Sequence, residues 1–146
     1  MTTMVTATVA AIVAKLSAAT AVAPQIVQVR LRPLAKAATT AVVVRPLQFD
    51  PNDQEILSLG QPVSWTSAIS VECYARSSVS TSPDVAVDSL VESVYARLMA
   101  DPTLGGVVIG LRLQGITWDF DADGEQTTCA SLVFAARHRS PGATLS

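Results

Sequence analysis

Residues 107–138 read "VVIGLRLQGITWDFDADGEQTTCASLVFAARH", and the fold turns on what stands in their middle. Asp119, Asp121, Asp123 and Gly124 occupy the first, third, fifth and sixth places of an EF-hand calcium loop, which would put helices on both sides. The twelfth place, where calcium needs a bidentate Glu, is Ala130, and both flanks alternate apolar and polar residues as strands do. Asp123-Gly124 between two alternating runs suits the positive φ of a primed turn. We therefore read a β-hairpin with arms at 107–118 and 126–138 and the aspartates at its tip. Three acids in one wet environment lack the contrast between a desolvated and a solvated carboxyl that paired-carboxylate catalysis requires. Their repulsion instead keeps the tip solvated and blunts it against sheet-edge pairing.

Upstream, "TSPDVAVDSLVESVYARLMADPTLGG" (81–106) predicts a helix. Thr81 with Asp84 forms a capping box, or Ser82 caps with Pro83 at the first helical position. Val87, Leu90, Val91, Val94 and Leu98 make one apolar stripe, Asp88, Glu92 and Arg97 face water, and Pro102 with Gly105-Gly106 stops the helix. Residues 63–76 alternate Val63, Trp65, Ile69, Val71 and Cys73 against Ser64, Thr66, Ser70 and Glu72 and give the longest strand. Two more strands precede it: 26–33, with Val27, Val29 and Leu31 on one face and Gln28, Arg30 and Arg32 on the other, and the β-branched run 39–44. Pro46 near the end of that run marks an edge or a strand terminus. Residues 48–62 form a long loop, polar but tipped by Ile56, Leu57 and Leu59. At the amino terminus, Val5, Val9, Ile12 and Leu16 fall on one helical face. No basic residue precedes them and Lys15 interrupts the run, so we read an amphipathic helix rather than a cleaved secretory signal. The stretch is also shorter than the ~20 apolar residues a membrane span needs.

The order helix, three strands, helix, two strands predicts an α+β domain over 1–146. In it, a mainly antiparallel sheet of about five strands carries two helices on one face. At 146 residues one core removes roughly 70% of the unfolded chain's surface from water. Residues 140–146 read as a loose tail. A net charge of −2 from ten basic and twelve acidic side chains gives no footprint for gripping nucleic acid or an anionic membrane. Charged residues are only 15% against 49% apolar, which leaves two readings open: surface covered by neighbouring chains, or alanines that raise the apolar count without making a sticky surface.

No catalytic constellation or cofactor motif emerges. Cys73 and Cys129 read as small buried hydrophobes, reduced by default, although neighbouring strands would let them bridge in an oxidising compartment. His138, the single histidine, lies in "ARHRS" and reads as a solvated strand end whose neighbours Arg137 and Arg139 oppose its protonation. Glu72, Tyr74 and Arg112 would have to share a deep polar pocket for a small enzyme or ligand-binding domain. Strand alternation makes them solvent-facing instead. No nucleophile elbow, phosphate-cradling glycine loop or Cys/His metal spacing occurs.

Residues 83–139, with the helix "LVESVYARLMADPTLGG", the strand "ITWDFD" and the closing strand "SLVFAARHR", resemble the tail terminator and tail-completion proteins of long-tailed bacteriophages. Upstream, the resemblance rests on element order alone. It implies a non-enzymatic virion protein of the tail or neck, assembled in the bacterial host cytoplasm without a cofactor. Such a protein forms a ring, usually a hexamer, at the head-proximal end of the tail tube, ends tube polymerisation and offers a surface for head-tail joining. The partners implied are further copies of the chain, the tube protein and the connector proteins, with DNA passing through the lumen without sequence readout. A different connector of the same neck is the nearest alternative. By analogy, contacts fall on Ile56, Leu57 and Leu59 and on Asp119, Asp121 and Asp123.

Overall fold

The computed structural model describes residues 2–18, 20–28, 39–52, 61–77, 82–120, 127–141 and 144–145. Among them, two helices and five strands follow in the expected order: α1 (Met4–Ser17), β1 (Gln25–Gln28), β2 (Thr40–Pro51), β3 (Val63–Arg76), α2 (Pro83–Met99), β4 (Gly110–Phe120) and β5 (Thr127–Ser140). The sheet order is β1-β2-β3-β5-β4, parallel between β1 and β2 and antiparallel elsewhere. The α+β class therefore holds. β5 returns between β3 and β4, so the helix α2 bridges two strands that run the same way without touching.

The pairing of β3 with β5 runs unbroken from Val63 opposite Ser140 to Arg76 opposite Thr127. Opposed residues share a face, so Ile69, Val71 and Cys73 stand with Phe134, Leu132 and Ala130. Val42 and Val44 of β2 join them, and the whole set is buried under Val9, Ile12 and Leu16 of α1 and the predicted stripe of α2. Both helices thus cover one face, called the helix face below. On the opposite, open face, Ala41, Val43, Tyr74 and Cys129 form a smaller cluster with Val27 against it.

Local chemistry sets the helix ends. Thr3 caps α1 by accepting from the Thr6 amide at 3.3 Å, and the buried Thr8 hydroxyl donates to the Met4 carbonyl at 2.7 Å. α2 starts with Pro83 after Ser82, which makes no side-chain cap bond; Thr81, the alternative cap, lies outside the described residues. Arg97 departs from expectation. Instead of facing water, its guanidinium donates to the carbonyls of Lys15 (3.3 Å), Ala18 (2.7 Å) and Thr20 (2.9 Å), closing the end of α1 where carbonyls lack helical partners. Beyond α2, Asp101 organises the turn, accepting from Lys15 Nζ and the Gly105 amide at 2.8 Å each and from Thr103 Oγ1 at 2.9 Å. The Lys15 ammonium and the other donors hold its carboxyl down at about 2. Leu104, Gly105 and Gly106 then take φ of 51°, 70° and 90°. Leu104 tolerates this region because its side chain is buried in the core.

Two boundary readings are corrected, those of β2 and of the carboxyl-terminal tail. β2 continues through Pro46 to Pro51, so residues 48–51 belong to the strand and not to the long loop. Pro46 fits because β1 pairs only with Ala41–Val44 and the β2–β3 register shifts between Pro46 and Gln48. Of the predicted strand 26–33, residues 29–33 lie outside the described set. The tail is not wholly loose: Ser140 ends β5 and is buried, taking the Trp65 indole bond at 2.8 Å, and the Leu145 carbonyl accepts from the Met4 amide at 2.8 Å. Cys73 and Cys129 do lie in neighbouring strands, but on opposite faces of the sheet, because Cys73 opposes Ala130 rather than Cys129. A bridge between them is ruled out by geometry. Burial pushes the Cys73 thiol up to about 12, with Cys129 adding to it.

Phe134→Ala empties the centre of the helix-face core and is expected to lower unfolding free energy by about 3–5 kcal/mol. Gly106→Ala meets no atom within 4 Å, so only its positive φ is penalised, and about 1–2 kcal/mol is expected. Urea titration followed by circular dichroism measures both.

Candidate functional site

β4 is an edge strand, opposite to the edge strand β1, and along its far half a row of apolar side chains reaches solvent. Leu111 and Leu113 oppose Ala136 and Phe134 and stay within the core's reach. A register shift between Leu113 and Gly115 then admits Gln114 as an extra residue. Beyond it, Ile116, Trp118 and Phe120 oppose Leu132, Ala130 and Thr128 on the helix face, yet α2 does not cover them: they are 39%, 40% and 65% exposed. Val85 in the first turn of α2, 62% exposed, joins Trp118 and Phe120 around a shallow cleft rimmed by Asp84 and Asp88. Asp84 is anchored by the Thr128 hydroxyl at 3.0 Å. Asp88 makes no ion pair among the described residues. Acidic groups suit this place because α2 begins there.

The open face carries a different chemistry at the other end of β4. Arg112 and Arg137 flank a groove floored by Ala135 and bounded by Thr66 and Gln114. Arg139, opposite Ser64, extends the row. No carboxylate pairs with these three arginines among the described residues; Asp50, opposite Thr66, is the acid on that row of the sheet. Farther along, Arg45 pairs with the buried Glu72 at 2.9 Å. The molecule thus separates an acid-rimmed apolar cleft from an arginine-lined groove on the opposite face.

Of the residues singled out in the sequence, Asp119 is described. It lies exposed in β4, opposite Cys129 and therefore on the open face. Ile56, Leu57, Leu59, Asp121 and Asp123 lie outside the described residues. Glu72 and Tyr74 are buried rather than solvent-facing, because the open face has its own small core. They share no pocket with Arg112, which opposes Ala135, four residues and about 13 Å along β5 from the Ser131 opposite Glu72. Among the described residues no group of three or more His, Cys, Asp or Glu comes together to hold a metal ion.

His138 is the largest correction. It is 1% exposed, on the helix face beyond the ends of the core, with Nε2 sharing a 2.6 Å hydrogen bond with the buried Ser67 hydroxyl. Phe49 meets the imidazole edge-on at 5.9 Å and stacks on Trp65 at 4.7 Å. Burial, not the flanking arginines, pushes its pKa below the ordinary histidine value; Arg137 and Arg139 point to the other face. A serine and histidine at this distance invite a catalytic reading. Ser67 is fully buried, and His138 Nδ1 has no partner among the described residues to orient it. The pair is a polar tie between β3 and β5. Its signal in the sequence was the phase of the strand, since His138 continues the series Ala130, Leu132, Phe134, Ala136.

The exposed aromatic row was hidden for the opposite reason. "ITWDFD" has the alternation of any half-buried strand, and only the sheet order reveals that no helix or strand among the described residues covers its apolar face.

A solved particle contains the same fold. A chain in the virion of a native gene transfer agent particle superposes on this one with a TM-score of 0.62, at 15% identity, across 90% of this chain and 94% of its own. At that identity the likeness is one of fold. No family model matches the chain, and no curated protein does. No helix among the described residues is long and apolar enough to cross a membrane.

Because His138 is depressed in the folded state and ordinary in the unfolded chain, acid favours unfolding. The stability it confers is complete above pH ~6.5 and is lost as pH falls toward the folded value. Asp101, held at about 2, loses its contribution only below pH ~4. Melting temperature is therefore expected to fall between pH 7.5 and 5, and His138→Gln, which keeps a partner for Ser67, is expected to flatten that slope.

Proposed function

We propose that this chain is a structural protein of a phage-type virion. It closes into a ring at the head-proximal end of the tail tube, ends tube polymerisation and presents a surface for joining the head. The observation that carries the reading is the correspondence of fold, across nearly the whole of both chains, with a component of a gene transfer agent virion. The resemblance of residues 83–139 to tail terminators supports it from the sequence side.

Two features of the chain agree with such work. An exposed aromatic row on an edge strand is surface that a partner protein covers. A ring needs a heterologous contact, in which one patch meets a different patch of the next copy and the rotation closes. With a net charge of −2, the chain suits a lumen through which DNA passes without being held. Ile56, Leu57 and Leu59 of the connecting loop and Asp119, Asp121 and Asp123 of the hairpin are the further contacts we assign to the ring, tube or connector.

Electron microscopy of purified virions and of tails from a strain lacking the gene tests this reading. Tails of abnormal length are expected if the protein terminates the tube. Tails of normal length that never join heads would instead make it a connector of the neck. Virions that lack the polypeptide, with tails unaffected by its loss, would overturn both. Leu57→Ser with Leu59→Ser is expected to reduce ring assembly, read as the fraction of rings in negative stain.

A further inference from the structure

Resting on the ring reading above, we propose which surfaces meet: the acid-rimmed aromatic cleft of one copy docks on the arginine-lined groove of the next. The occupant of each surface is thus a second copy of this chain.

The first argument is charge complementarity. The cleft of Val85, Trp118 and Phe120 is bordered by Asp84 and Asp88, and the groove presents Arg112 and Arg137, with Arg139 beside it. Both sets are exposed, and none of these charges has an opposite partner within its own chain among the described residues. Docking supplies that partner to each, while the aromatic centre loses water.

The second argument is placement. The cleft lies on the helix face and the groove on the open face, at opposite ends of β4. Arg112 and Phe120 are about 25 Å apart along an extended strand. One molecule therefore offers the two patches to two different neighbours. Two identical patches would close a dimer; two different ones, on opposite sides, propagate head to tail and close as a ring.

The third argument concerns nucleic acid, the other ligand that arginines invite. The groove's arginines stand beside a neutral alanine and threonine with Asp50 on the same row, and among the described residues no aromatic side chain lines the groove to stack on bases. Placed against Asp84 and Asp88 of a neighbour, they are neutralised, and the passage for DNA keeps no phosphate-gripping stripe.

Charge reversal tests the pairing. Asp84→Arg with Asp88→Arg makes both patches basic, and Arg112→Glu with Arg137→Glu makes both acidic. Each variant alone is expected to lose assembly, with the dissociation constant raised at least roughly tenfold, while circular dichroism and melting confirm that it is folded. The equimolar mixture is expected to recover assembly in sedimentation velocity as alternating copies. Wild-type assembly is expected to weaken with salt. Folded variants that assemble like wild type, or a mixture that stays monomeric, overturn the docking proposal, as does duplex DNA binding lost in Arg112→Glu with Arg137→Glu. A wild-type chain monomeric at high concentration overturns it too. The ring reading is judged separately, by whether the virion carries a ring of this polypeptide at the end of its tail.

Discussion

The antiparallel register between β3 and β5 is the constraint on which everything else rests. Its 14 opposed pairs, from Val63–Ser140 to Arg76–Thr127, decide which side chains meet the helices and which meet the open face. A slip of β5 by one residue against β3 would turn Leu132 and Phe134 away from α1 and α2 and put Arg137 and Arg139 on the helix face. The apolar cost of that slip is what makes the register unique. It also explains the two cysteines, whose separation onto opposite faces follows from the same alternation.

From that register the two candidate surfaces follow. β5 is held on both sides, so β4 is left at one edge of the sheet, and α2 lies over β3 and β5. The apolar alternation of β4 continues past the helix's cover, leaving Ile116, Trp118 and Phe120 in solvent. The open face collects the arginines because the odd-numbered positions of β5 that point there, Arg137 and Arg139, follow the small residues Val133 and Ala135. The buried Ser67–His138 tie sits beyond the core's end, where the sheet extends farther than the helices and a polar pair closes what hydrophobes alone do not.

A good deal of this was legible in the chain. The limits of β3, the five-residue stripe of α2, the apolar face of α1 and the element order were all carried by period-2 and period-3.6 patterning, which is local. Errors fell where the deciding contact was distant. Arg97 read as solvent-facing because nothing near it in sequence announces the carbonyls at the end of α1. Glu72 and Tyr74 read as exposed because alternation tells which residues share a face, not whether that face has its own core. His138 was placed in water because its charged neighbours are adjacent in sequence, although their side chains lie across the sheet from it.

The sequence by itself determined the elements and the composition of each face, because hydrophobic periodicity and turn chemistry act over a few residues. Tertiary structure alone decided the strand order, the parallel pairing of β1 with β2, the burial of His138 and the exposure of the β4 aromatics. These depend on which element lies beside which, and burial is a property of neighbours that a strand's own residues do not specify.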